Sequence, residues 1–186
     1  GGAQAGTFYR VLFQANSAGS YGGGAVGSKL YSCVVASNSS SSASPAIELN
    51  STAALAYNCT VVGHTSNVGA IRIVNGGNLA NSIVYGNKSN APQIVNYGTV
   101  VTNNFTNDPA FIAGTYMIGP GSPCIDAGDS ALVPAGMTND FYGRPRISGL
   151  AVDVGAAEHT SGVDVPEAVV SVRKKLAAIL AGGGYP

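Results

Sequence analysis

The amino-acid sequence predicts an all-β fold in which the chain winds into a parallel β-helix, a solenoid of stacked rungs. One short pattern of strand-forming residues returns four times in the first ninety positions. Its copies begin at Tyr9, Tyr31, Tyr57 and Ala80, so their starts lie 22, 26 and 23 residues apart. Repetition at a period of about 20 to 30 residues is typical of chains that stack one supersecondary unit on the next.

A second set of apolar runs indicates that each period holds more than one strand. Residues 25–27, 46–49 and 70–73 follow one another at spacings of 21 and 24, and Gly, Ser and Asn separate them from the first pattern. Such runs are typical of short strands joined by turns. No helical period is sustained between residues 1 and 160. We therefore expect two or three strands per rung, each paired in parallel with its equivalents above and below.

Alternation along a strand predicts which side chains fill the interior. Within each copy of the pattern, this alternation places the first, third and fifth residues on the inward face. These residues are Tyr9, Val11 and Phe13, then Tyr31, Cys33 and Val35, then Tyr57, Cys59 and Val61, then Ala80, Ser82 and Val84. Cys33 and Cys59 are then neighbours in the core, where we expect inert thiols that are not bonded to each other. His64 stands where other copies have Asn, so we expect a hydrogen-bonding turn residue.

Two motifs resemble a known family. Phe13-Gln-Ala-Asn16 and Gly23-Gly-Ala-Val26 match the FxxN and GGA(I/L/V) repeats of the polymorphic outer-membrane proteins, which are adhesins built as right-handed β-helices. The later rungs, and a block formed by residues 108–111, 121–129, 140–146 and 152–158, look like parts of large secreted bacterial β-helix proteins. The resemblance implies a right-handed, pectin lyase-like parallel β-helix that is secreted or displayed on a bacterial cell surface.

Pattern and resemblance together divide the chain into three parts. We expect residues 1–107 to be β-helix rungs from the C-terminal part of a longer solenoid, and residues 108–160 to be a C-terminal β cap. Residues 161–186 are predicted to form an amphipathic helix and tail, because Asp164 and Glu167 make a capping box before apolar residues at spacings of three and four. The helix is expected to cover the end or flank of the solenoid, with a docking or dimer helix as the alternative.

Charge is sparse and balanced over the 186 residues, with nine basic and nine acidic side chains. This balance leaves no electrostatic footprint for nucleic acid or for an anionic membrane surface. No apolar run is long enough for a transmembrane helix. We expect no nucleic-acid partner and no membrane insertion, and we expect a glycan or a host or neighbouring surface as the partner.

Carboxylates are too few in the rungs for the chemistry of β-helical polysaccharide enzymes. Hydrolases of this kind need paired carboxylates, and lyases need clustered Asp for calcium with a basic residue. Glu48 is the single acidic residue before residue 108. We expect it to form an exposed ion pair with Arg72 that contributes less than about 1 kcal/mol to stability. We predict a non-catalytic module for adhesion or glycan contact, without catalytic residues. The alternative is the C-terminal fragment of a polysaccharide lyase or glycoside hydrolase whose catalytic rungs lie upstream.

Exposed aromatic side chains are the candidates for glycan contact. A ladder of such rings on one sheet would favour binding of sugars, and the candidate residues are Tyr21, Tyr85 and Tyr97.

A set of aspartates in Gly- and Pro-rich turns is the candidate metal site. Its members are Asp126, Asp129, Asp140 and Asp153. Their oxygens could converge on calcium, which is the candidate cofactor. The alternative is that these carboxylates accept hydrogen bonds from their own backbone or pair with Arg144 and Arg146, which requires no metal.

Overall fold

The computed structural model describes residues 1–41, 44, 46–66, 68–99 and 101–160. The helix predicted at 161–186 lies outside the described residues. The described part forms a parallel β-solenoid, which confirms the predicted all-β fold class. It contains no helix with the length and apolar character needed to cross a membrane.

Three parallel sheets, named A, B and C in the order in which the chain visits them, form the walls of the solenoid. Sheet A contains Ala3–Gln4, Ala25–Val26, Ile47–Leu49, Ile71–Ile73 and Ile94–Asn96. Sheet B contains Thr7–Tyr9, Lys29–Tyr31, Leu55–Tyr57, Asn78–Ala80 and Val101–Thr102. Sheet C contains Leu12–Gln14, Val34–Ala36, Thr60–Val62 and Ile83–Tyr85. Two small pairs follow sheet C, Ser17–Ala18 with Ser39–Ser40 and Thr65–Ser66 with Lys88–Ser89.

Each strand pairs with its equivalent one turn later, as the repeat predicts. In sheet A, Ala25 pairs with Ala3 on one side and with Ile47 on the other. In sheet C, Val61 pairs with Val35 and with Val84. Inner strands therefore satisfy their backbone N–H and C=O groups on both sides, and similar apolar side chains stack in a continuous interior ladder.

A sharp corner between sheets B and C divides each predicted strand into two. The first corner residue adopts the left-handed backbone conformation in every turn, with φ of 56° at Arg10, 47° at Ser32, 51° at Asn58, 49° at Asn81 and 51° at Asn103. Asn accepts this conformation more readily than other residues with a Cβ atom. This preference explains why Asn precedes Cys59 and Ser82 in the repeat.

The corner overturns the predicted inward position of the tyrosines. Alternation restarts after the corner, so the side chain just before it faces outward, and Tyr9 is 54% exposed. The inward place in sheet B belongs instead to the preceding residue, which is Leu30 in one turn and Leu79 in another. Cys33 and Cys59, beyond the corner, are fully buried and are not bonded to each other, which confirms their predicted place in the core.

His64 occupies the inside of the next corner, after sheet C, in a ladder with Asn38 and Asn87. Its backbone N–H donates to Oδ1 of Asn87 at 3.0 Å. With the ring proton on Nε2, that nitrogen donates to the carbonyl of Val35 at 3.0 Å and Nδ1 accepts the N–H of Asn38 at 3.0 Å. Burial lowers the pKa of His64. The structure confirms a hydrogen-bonding turn role for this residue.

Residues 108–158 form a cap that lies against the outer face of sheet C. The cap has little regular structure: a single 3₁₀ turn at Ser130–Leu132 and isolated bridges are its described elements. The N–H of Ala156 donates to the hydroxyl of Thr60 at 3.0 Å, and that of Gly155 donates to the carbonyl of Asn81 at 2.8 Å. Val34 is consequently buried although it points away from the solenoid interior. The cap thus covers a side of the solenoid.

Candidate functional site

The three predicted tyrosines lie in two different places. Tyr21 and Tyr97 are on the outer side of sheet A and are 44% and 63% exposed. Tyr85 is half-buried and packs against a cap cluster that includes Ile118 and Val154. The structure therefore brings two of the three candidates to one surface and places Tyr85 in the interface between solenoid and cap.

Arg72 connects Tyr21 and Tyr97. It is the middle residue of Ile71–Ile73, so its neighbours face the core and its own side chain faces outward. The guanidinium carbon lies 5.4 Å from the centroid of the Tyr21 ring and 5.5 Å from that of the Tyr97 ring. Each such contact contributes about 0.5–1 kcal/mol at an exposed site.

Glu48 holds Arg72 from the previous rung. The two residues pair in register, and Oε1 of Glu48 lies 3.2 Å from a terminal nitrogen of Arg72. The predicted ion pair is confirmed, but the prediction of an exposed pair was wrong for Glu48, which is 6% exposed. Its second oxygen, Oε2, is buried and has no hydrogen-bond partner among the described residues. The Glu48 carboxylate therefore holds the Arg72 guanidinium through one oxygen, and its other oxygen is not open to solvent.

We call Tyr21, Glu48, Arg72 and Tyr97 the sheet A surface. It offers two exposed aromatic rings and a guanidinium whose remaining N–H groups are partly open to solvent, since the Arg72 side chain is 30% exposed. A shallow groove of about 250 Å³ adjoins it, bounded by Tyr21, Gln4 and Val26. Because Glu48 neutralises Arg72, this surface is suited to a neutral polar ligand that can stack on aromatic rings and accept hydrogen bonds.

Asp140 is engaged by backbone N–H groups and by an arginine. It accepts hydrogen bonds from the N–H groups of Tyr142, Arg144 and Glu158 at 2.8–2.9 Å. The guanidinium of Arg144 binds its Oδ2 at 2.9 Å. All of these partners are donors, so the carboxylate is satisfied as the alternative interpretation expected.

The other three aspartates of the predicted metal site also accept from backbone N–H groups. Asp153 accepts the N–H of Asp126 and that of His159, Asp126 accepts that of Ala151, and Asp129 accepts that of Ala131. In the part of the chain that the structure describes, no three acidic, His or Cys side chains are grouped as metal ligands would be. The structure does not bring the four aspartates together around one point.

A buried ion pair lies at the centre of the cap, and the sequence pattern did not predict it. Arg146 and Glu158 are 2% and 1% exposed, and the guanidinium binds Oε1 of Glu158. The same guanidinium donates to the hydroxyl of Ser32 at 2.9 Å and to the carbonyls of Gly155 and Ala156. Burial raises the pKa of Glu158 to about 7, although the charge of Arg146 opposes this rise. These contacts attach the cap to the solenoid.

A row of tyrosines on the outer face of sheet B was also missed. The Tyr9 and Tyr31 rings stack with centroids 5.0 Å apart and planes 12° apart, and Tyr57 meets Tyr31 edge-on at 6.2 Å. The signal was present, because Tyr opens three successive copies of the repeat. It was assigned to the interior because the corner was not recognised.

Comparison of the chain with protein-family models, with curated proteins and with solved structures finds no match.

Proposed function

We propose that this β-solenoid is a non-catalytic module, secreted or displayed on a cell surface, that contacts glycans through the sheet A surface. The observation that carries the proposal is the exposure of Tyr21 and Tyr97, both in contact with an arginine that Glu48 holds in place. Aromatic rings stack on the C–H faces of sugars, and a fixed guanidinium donates to their hydroxyl groups.

The exposure of both rings supports a role in binding over a role in stability. Burying an aromatic side chain would stabilise the fold by about 1.5–3 kcal/mol. Tyr21 and Tyr97 lack much of this stabilisation, since about half of the surface of each residue remains open to solvent. Tyrosine also supplies a large contact area at a low cost in conformational entropy, which suits a binding surface.

The carboxylates support the non-catalytic part of the proposal. Asp140 and Asp153 are buried and hold backbone N–H groups, and Glu48 and Glu158 are buried in ion pairs. A general acid or base must reach the substrate. None of these four side chains presents a carboxylate oxygen to solvent at the sheet A surface.

The test is binding of the protein to immobilised neutral oligosaccharides, with cello-, manno-, galacto- and N-acetylchito-oligosaccharides as the probes. The double variant Tyr21→Ala/Tyr97→Ala should lose binding by about tenfold or more, which corresponds to about 1.4 kcal/mol. Leu150→Ala is the matched control, because Leu150 is 97% exposed and lies away from sheet A. Its binding should equal that of the wild type.

Two results would contradict the proposal. One is the absence of binding to every probe, or equal binding by the wild type and the double variant. The other is catalysis: release of reducing ends or of unsaturated products from pectin or alginate, at a rate that follows the protein through purification, would show an enzyme.

A further inference from the structure

A second cleft, separate from the sheet A surface, lies where the first corner of the solenoid meets the cap. It has a volume of about 360 Å³. Tyr9 and Arg10 form its solenoid side, and residues 135–139 of the cap form the other. The cleft therefore exists only because the cap lies beside the solenoid.

The aromatic side of the cleft is preorganised. Tyr9 is 54% exposed, and its ring is held parallel to that of Tyr31 by stacking at 5.0 Å. Tyr31 is in turn fixed by its edge-on contact with Tyr57. A ligand that stacks on Tyr9 does not have to order this ring, so little conformational entropy opposes binding.

The cap side of the cleft is polar and internally bonded. The carbonyl of Thr138 accepts the N–H of the buried Arg146 at 2.8 Å, and the side-chain amide of Asn139 donates to the carbonyl of Gly143 at 2.8 Å. The hydroxyl of Ser32 contacts the sulfur of Met137 at 3.9 Å. Peptide and side-chain polar groups thus dominate this wall, which favours a ligand rich in hydroxyl groups over an apolar one.

Arg10 gives the cleft an uncompensated positive charge. The ion pairs within the described residues use Arg72, Arg144 and Arg146, and Arg10 takes part in none of them. No carboxylate lines the cleft. Asp140, which follows residues 135–139 directly, is fully buried and already satisfied by Arg144 and backbone N–H groups. An anionic group on the ligand is therefore the natural partner of Arg10.

We propose that this cleft binds an acidic saccharide of the uronic acid class. The pyranose ring stacks on Tyr9, the carboxylate pairs with Arg10, and the hydroxyl groups bond to residues 135–139. The inference does not rest on the sheet A surface, which carries a neutralised arginine and is assigned to neutral sugars.

The test is calorimetric titration of the protein with trigalacturonate. Galactotriose is the neutral probe and is titrated into the Tyr21→Ala/Tyr97→Ala variant, so that binding at the sheet A surface does not contribute. We expect binding of trigalacturonate that weakens with added salt, and weaker binding of galactotriose. Arg10→Gln should reduce the affinity for trigalacturonate by about tenfold or more, or about 1.4 kcal/mol, and Tyr9→Ala should reduce it as well. Arg10 is exposed, so its substitution leaves packing intact.

Lys29→Gln is the matched control, because Lys29 is an exposed cation on sheet B that does not line the cleft. Tyr21→Ala/Tyr97→Ala is the second control, and both controls should bind trigalacturonate as the wild type does. The proposal is overturned if no binding occurs with a Kd of about 1 mM or tighter, if galactotriose binds equally well, or if Lys29→Gln is as damaging as Arg10→Gln. The two proposals can fail independently. Binding of neutral oligosaccharides without binding of trigalacturonate would overturn the cleft proposal alone, and the reverse result would overturn the proposed function alone.

Discussion

The rungs and the cap are stabilised in opposite ways. In the rungs, repeated parallel strands satisfy the backbone, and the interior is filled with apolar side chains such as Ile47, Val61 and Ile71. In the cap, regular strands are almost absent, and buried charged groups such as Arg146 and Asp140 satisfy backbone carbonyl and N–H groups. A segment without a sheet must therefore supply from its side chains the hydrogen bonds that a sheet supplies from its backbone.

The largest effect is expected from a charge placed in the rung interior. Val61→Asp should destabilise the protein by about 4 kcal/mol or more, because an unpaired carboxylate would lie in a fully buried apolar ladder. Urea unfolding of both proteins measures the difference. The control is Leu12→Asp on the same sheet, at a side chain that is 43% exposed, with an expected cost below about 1 kcal/mol. Equal losses in the free energy of unfolding for the two variants would contradict an apolar, tightly buried rung interior.

The converse change in the cap should also be damaging. Arg146→Met adds apolar surface but leaves Glu158 and four carbonyl or hydroxyl groups without their donor, so we expect a loss of about 3–5 kcal/mol. Urea unfolding again gives the value, and Arg144→Met, at a partly exposed arginine, should cost less.

A double variant sharpens this second prediction. Arg146→Met/Glu158→Leu removes both charges, so it should cost less than the two single changes together. Strict additivity would show that the two groups are not coupled and that their ion pair does not stabilise the cap.

Stability of the cap should fall as pH rises toward neutrality. Burial raises the pKa of Glu158 from 4.5 to about 7. The folded protein therefore binds a proton that the unfolded chain has released, so the stabilisation is complete below about pH 4.5 and is lost as the pH rises through about 7. The free energy of unfolding, measured across this range, should decrease more steeply for the wild type than for Glu158→Gln. If the free energy of unfolding depended on pH in the same way for both proteins, Glu158 would not be the source of the pH dependence.

Stability of the rungs should fall in the opposite direction. Burial lowers the pKa of His64 below its ordinary 6.5, so the folded state holds the neutral ring. This contribution is present above about pH 6.5 and is lost as the pH falls from there through the lowered pKa. His64→Asn, which restores the residue found at this position in the other turns, should flatten this acid limb in urea unfolding. An unchanged acid limb would contradict the assignment.

The smallest effect is expected from chelation. The aspartates of the candidate metal site accept backbone N–H groups or bind arginine, and these partners need no ion to keep a carboxylate charged. EDTA should leave the Tm unchanged. A Tm that drops by several degrees and is restored by calcium would instead show a metal site, since a bound ion stabilises the folded state.

Much of the fold could be predicted from the sequence because the rungs are repetitive. The period, the parallel pairing, the burial of Cys33 and Cys59 and the pairing of Glu48 with Arg72 all follow from comparing one copy with the next. Repetition makes each contact local to neighbouring copies, so the pattern of residues carries the register.

Tertiary structure alone decided the features that depend on a turn angle or on contacts distant in sequence. The left-handed corner at Asn58 and its equivalents reversed the facing of the tyrosines, because a single positive φ resets the alternation of a strand. The attachment of Arg146 to Ser32 joins residues 114 positions apart. The position of Tyr85 under the cap and the cleft at Tyr9 likewise depend on contacts that are distant in sequence. No repeat relates these residues, so the sequence pattern does not indicate that they meet. The packing of the cap on sheet C brings them together.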